Sequence, residues 1–272
     1  MAMLEMPTHI EAQQKPTQFQ TLTIVSIVLA LISATWGILD PRMVDGAFVW
    51  MKPLKFSLSF ALLFATLAIV ENIMSAPLRE GWVMRITGWV MATAFLAEMG
   101  YMIFQGAQAE ASHFNMSTPF NEFMYTVVMA AGAVALVACV GVIGWLVKRD
   151  RKADISEPLR ESIWLGFALS FVLTMIVAGY LSSAGGHHVG IHPEGAPTLP
   201  LMDWSGVTGD LRPAHFFSLH AMQVLPLLAL WVERRDIGNP VMIIRLAAFG
   251  YAGLTLAVFA IALAGMPLIP LG

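Results

Sequence analysis

Seven stretches of the chain are each long and apolar enough to cross a lipid bilayer, and that leaves few folds open. A spanning helix needs about 17–25 predominantly apolar residues, and residues 21–39, 54–71, 84–106, 120–147, 162–182, 214–232 and 243–266 each meet that length. Backbone polar groups in hydrocarbon need partners within their own segment, so these stretches read as helices. Composition agrees: only 12% of residues are charged and the mean hydropathy is +0.71, where a soluble domain carries about 25% charge. The expected fold is all-α, a polytopic bundle of seven transmembrane helices over 21–272, preceded by a polar segment at 1–20. That segment lacks the basic, apolar and small-residue order of a cleavable signal peptide, so the first span is expected to stay in the mature protein.

Basic residues near span ends gather on the cytoplasmic side. With the N-terminus inside, the inner side holds Lys15, Arg79, Arg85, Lys148, Arg149, Arg151, Lys152, Arg160, Arg234, Arg235 and Arg245, and the outer side Arg42, Lys52, Lys55 and Arg212. Eleven against four sets the expected topology, N-terminus inside and C-terminus outside, in a cell membrane, or a bacterial-type inner membrane if the source is prokaryotic. The histidines were not used in that count. Of the seven, only His9 falls inside; His113, His187, His188, His192, His215 and His220 fall outside.

Depth narrows the question. At about 1.5 Å per residue, His220 lies about 10 Å and Gln223 about 15 Å below the outer surface, and Glu98, on the outward-running third span, about 12 Å below it. Lys55, Ser57 and Ser59 in WMKPLKFSLSF reach the same layer. Ionisable residues at such depth cost about 2.5–3.5 kcal/mol on insertion scales and face a bundle interior or a wet cavity. The expectation is a polar pocket open to the outside, with Glu98 facing His220. The plainer alternative is that His220 only ties helices together.

His215 and His220 are about 140° apart around a helix, so they do not easily share an ion; Phe216, His220 and Gln223 share one face. GGHHVGIHPEG places His187, His188, His192 and Glu194 in a glycine-flanked loop. Imidazole suits zinc, copper, iron or nickel, although glycines argue against the stable helix that would align His188 with His192. Thr118 and Pro119 are an ordinary helix start, which leaves His113 and Asn115 beside the pocket. Asp40 with Arg42, Asp45 with Lys52 and Asp210 with Arg212 read as ion pairs near span ends. Arg212 at the mouth also has a fork of donors for an anionic or carbonyl-bearing substrate. Cys139, the only cysteine, sits mid-span and excludes an internal disulfide or CxxC motif. Trp36, Trp50, Trp82, Trp164 and Trp231 fit an interfacial belt, and no basic patch interleaved with aromatics suggests nucleic acid.

Three seven-span or heme-bearing patterns are absent. Retinal proteins carry a lysine in the last helix, and 243–266 has none. The zinc hydrolases related to ceramidases and progestin-type receptors carry a histidine pair there, and this span has no histidine. Diheme membrane cytochromes place histidines toward both faces, unlike this chain.

The leading functional expectation is an outward-facing heme or transition-metal site for redox or lipid-directed chemistry. Heme b would use two of His113, His215 and His220 as axial ligands; a zinc, copper or iron site would draw on His220, Glu98, His187, His188 and His192. Glu98, His220 and Lys55 are the candidate catalytic residues. Gln223, Gln105, Arg212 and Asn115 are the candidate contacts to a quinone or lipid-like substrate. The alternative is a carrier or receptor that uses the same cavity, without a metal, for a small solute or proton.

Overall fold

The computed structural model describes residues 16–44 and 46–271; His9, Lys15 and Asp45, and most of the polar segment 1–20, lie outside them. The described chain is mostly helical and holds seven helices long and apolar enough to cross a membrane: α1 Gln18–Leu39, α2 Met51–Ile73, α3 Trp82–Gln108, α4 Pro119–Arg149, α5 Glu157–Ser183, α6 Leu211–Arg234 and α7 Pro240–Leu263. All seven expected spans are present, most of them longer than the apolar run because polar caps extend them. Ser156 accepts from Leu159 N–H and starts α5 at Glu157, and Asn239 accepts from Met242 N–H and starts α7 at Pro240. Thr118 and Pro119 start α4 as expected. Residues Met124–Met129 of α4 form a π-helical turn that no sequence pattern announced. Two short antiparallel ribbons, β1 Met43–Val44 with β2 Ala47–Phe48 and β3 His188–Val189 with β4 Gly209–Asp210, lie in the connections.

Consecutive helices from α2 to α6 pack side by side, while α1 lies against α2 and α3, and α7 against α5 and α6. Gln223 on α6 donates to Thr66 Oγ1 on α2 at 3.1 Å, which closes the five helices into a ring. The ring encloses one core to which every member contributes: Phe60 and Phe64 from α2, Phe95 from α3, Ile143 from α4, Phe167 from α5 and Met222 from α6. The Phe60 and Phe95 rings meet edge to face at 4.9 Å. The α5–α6 contact is close because Gly166 has no side chain; a Cβ there would lie 2.7 Å from Ala221 O. Hydroxyls bind the same interface: Ser170 donates to Leu219 O at 2.9 Å and accepts from Met222 N–H at 3.0 Å, and Thr174 meets Ser218 at 3.0 Å. Small residues and hydroxyls are the usual means of holding helices together where lipid supplies no hydrophobic drive.

The two ends of the bundle differ. One holds the start of α1 and the basic connections; the other holds the six described histidines or the helix segments that carry them. At the basic end, Asp150 accepts from Ser75 N–H and Ser75 Oγ at 2.7 Å each and from the N–H groups of Lys152 and Ala153. Burial pushes this carboxyl up, but the hydrogen bonds outweigh it and hold its pKa below the ordinary carboxylate value. Arg160 donates to the carbonyls of Val147, Asp150 and Ala153, and Glu161 pairs with Lys148 and with Arg245, the latter at 2.8 Å. These contacts clamp the α2–α3 and α4–α5 connections and the first turns of α7. Asp150→Ala removes the acceptor shared by Ser75 N–H, Ser75 Oγ and the N–H groups of Lys152 and Ala153. Its thermal unfolding in detergent is expected to show a loss of about 3 kcal/mol, and a variant as stable as the parent would contradict the clamp.

Candidate functional site

The histidine end is built around Asp210, the N-cap of α6. Its side chain, 1% exposed, accepts from Ser205 N–H at 2.9 Å, from Arg212 N–H at 3.0 Å and from the Arg212 guanidinium at 2.7 Å. Burial raises the Asp210 pKa, and Arg212 more than reverses this. Arg212 also reaches the Asp203 carboxylate at 3.5 Å and the Asp203 carbonyl, so one acid–base pair anchors the long loop at 184–210 onto α6. Asp40 and Arg42 form the corresponding pair after α1, at 2.7 Å.

The loop histidines lie together and are not helical. The rings of His187 and His188 are 4.1 Å apart, and those of His188 and His192 are stacked at 4.2 Å. His192 Nδ1 meets Ser205 Oγ at 2.9 Å, and His188 Nε2 lies 3.8 Å from Asp210. A metal needs lone pairs converging at about 2 Å. Here ring faces meet, and among the described residues no group of three or more His, Cys, Asp or Glu is disposed to hold a metal ion. Burial, then Arg212 and His188, lowers the His187 pKa to about 4; burial also lowers that of His188, against Asp210.

His113 sits in the loop after α3, with its ring 5.5 Å from Phe56 and 6.0 Å from Tyr125 and its Nδ1 3.1 Å from Ser112 Oγ. Burial, with Lys52 and His215 nearby, holds its pKa well below the ordinary value, so its imidazole is neutral near pH 7. His215 Nδ1 is buried without a hydrogen-bond partner. His220 Nδ1 faces Gln223 Oε1 at 3.2 Å while Phe216 packs its ring edge to face at 4.1 Å, and Gln223 passes the contact on to Thr66.

Glu98 and His220 make no recorded hydrogen bond or ion pair with each other. Glu98, 6% exposed, lies against α4 where Gly132 leaves room: a Cβ on that glycine would come within 2.8 Å of Glu98 Oε1, an atom without a hydrogen-bond partner. Gln105 and Asn115 hold their own loop, donating to Ala111 O at 3.0 and 2.8 Å. Lys55 is partly buried on α2, near Asp203 and Arg212, and no hydrogen bond or ion pair to it is found among the described residues.

Sequence reasoning missed Thr66, Phe56, Tyr125 and Gly132. Thr66 carried a usable signal. Lys55 and Thr66 are eleven residues apart, as are Arg212 and Gln223, and eleven residues are about three helical turns, or about 16 Å. The helices α2 and α6 run the same way, so the pairing of Thr66 with Gln223 also sets Lys55 level with Arg212. Ser59 and Phe216, both exposed, and Leu63 and His220 lie between them. No family model, no curated protein and no solved structure matches this chain.

Two outcomes check the electrostatics. His187 has a folded pKa of about 4 against an ordinary 6.5, so its contribution to stability is intact above about pH 6.5 and is lost as pH falls toward 4. The unfolding temperature should fall across that window, and His187→Gln should flatten part of the fall; an unchanged acid profile would contradict the assignment. Glu98→Gln keeps the shape and removes an unpartnered carboxyl. It should unfold at an equal or higher temperature, and a large loss would mean that the carboxyl has a partner.

Proposed function

We propose that this multi-pass membrane protein binds an amphipathic molecule with an anionic or carbonyl-bearing head, lipid-like or quinone-like, along the seam between α2 and α6, entering from the extracytoplasmic side. The reading makes it a carrier or receptor for that molecule. It rests on one observation, the register of the seam. Lys55 and Arg212 stand level at its mouth, and Thr66 and Gln223 bridge it three turns deeper. A head group would meet the two cations, with the Lys55 ammonium left for it. The body of the ligand would lie beside Ser59, Phe216 and Leu63. With Nδ1 donating to Gln223 Oε1, His220 would keep its Nε2 lone pair for a ligand hydroxyl.

A second reading is favoured by the Nδ1 contacts of two histidines. His113 and His220 each have Nδ1 engaged, by Ser112 and by Gln223, and an imidazole anchored at one nitrogen is how proteins orient a metal ligand at the other. On this reading, heme b or a single transition metal would take two Nε2 atoms at the histidine end. When bound it would supply redox or Lewis-acid chemistry, with Lys55 and Arg212 orienting the substrate.

Purification in detergent, followed by mass spectrometry of extracted small molecules, elemental analysis and an absorption spectrum, separates the two. The first reading predicts about one amphiphile with an acidic or carbonyl head per chain, reduced about tenfold or more in Lys55→Ala and Gln223→Leu. A Soret band or a stoichiometric transition metal supports the second. Neither amphiphile nor metal would contradict both.

A further inference from the structure

The basic end carries a polar recess that the seam does not use. A cavity of about 550 Å³ opens between the start of α1, the last turn of α2, the α2–α3 connection and the first turn of α3, lined among others by Thr17, Gln18, Glu71, Arg79 and Arg85. Glu71 forms part of its wall; it is 8% exposed, and its Oε2 has no hydrogen-bond partner. A buried carboxyl oxygen without a donor is costly. Arg85 is exposed at the rim and makes no hydrogen bond or ion pair among the described residues, while Arg79 turns to Glu80 at 3.5 Å. Gly88 leaves room for the Gln18 side-chain amide against α3, where a Cβ would meet it. Trp82, 69% exposed at the same level, is the kind of residue that sits among lipid head groups.

The recess thus offers an acceptor within and a guanidinium at the mouth. We propose that it binds a zwitterion whose primary ammonium donates to Glu71 and whose phosphate meets Arg85, the chemistry of a phosphoethanolamine group, whether on a phospholipid or free. A primary ammonium fits because Glu71 can only accept when ionised, and a trimethylammonium has no N–H to give. A bare cation would leave Arg85 unused, and a simple anion would leave Glu71 without its donor. The site shares no residue with the α2–α6 seam, so the two stand or fall separately.

The full-length protein in detergent is titrated with dioleoyl-phosphatidylethanolamine, dioleoyl-phosphatidylcholine and O-phosphoethanolamine, with bound lipid read by native mass spectrometry. The ethanolamine lipid is expected to bind about tenfold more tightly than the choline lipid. Glu71→Gln, close in shape, should erase that preference, and Arg85→Ala, at the exposed rim, should weaken both lipids while the fold is kept. Displacement of the lipid by O-phosphoethanolamine identifies the free compound as a sufficient ligand, and failure to displace it identifies the lipid as the source. Equal affinity for both lipids, or a preference that survives Glu71→Gln, overturns the proposal.

Discussion

Hydrocarbon offers no hydrogen bonds, so a polar atom inside this bundle must find its partner within the protein or remain costly. Most of the hydroxyls meet that demand locally. Thr23, Ser26, Ser33, Thr35 and Thr255 donate to carbonyls four residues back on their own helices. A smaller set reaches across: Ser170 to α6, Tyr251 from α7 to Phe217 O, and Gln223 to Thr66. The last of these matters most, because it joins the first and last members of the ring. Thr66 can serve it without loss, since its hydroxyl donates to Leu62 O at 2.8 Å while accepting from Gln223.

The same demand separates anchoring residues from those left without a partner. Asp150 at one end and Asp210 at the other are carboxylates surrounded by donors, and each ties a loop to a helix terminus. Arg212 is largely spent on Asp210 and Asp203. Among the described residues, the buried side-chain atoms left without a hydrogen-bond partner are Trp50 Nε1, Ser57 Oγ, His188 Nε2, His215 Nδ1, Glu98 Oε1 in the ring wall and Glu71 Oε2 in the basic-end recess, and Lys55 at the mouth of the seam makes no hydrogen bond or ion pair. Glu98 lies where Gly132 makes room, one turn from the π-helical segment of α4. Such turns recur at functional positions.

The seven helices were legible because length and hydropathy report spanning directly, and the caps Thr118 and Asn239 stand in the sequence as a Thr-Pro and an Asn-Pro pair. The site was legible only in depth. Residue counting placed Glu98 and His220 in the same layer, but depth says nothing about direction around a helix axis or about which helices become neighbours. Those depend on packing: Glu98 turns to α4 because Gly132 lets it, and His220 turns to Gln223. The loop histidines show the converse. Their spacing suggested ligands, and the fold does bring them together, with the His188 and His192 rings stacked, His192 Nδ1 on Ser205 Oγ and His188 Nε2 3.8 Å from Asp210 without a hydrogen bond.

The bridge between Gln223 and Thr66 underlies both the closed ring and the register that sets Lys55 level with Arg212. A double-mutant cycle with Thr66→Val and Gln223→Leu, read by reversible unfolding in detergent, measures it directly. The account predicts a coupling of about 0.6–1.7 kcal/mol, the range of hydrogen bonds between membrane helices. Strictly additive losses would contradict it.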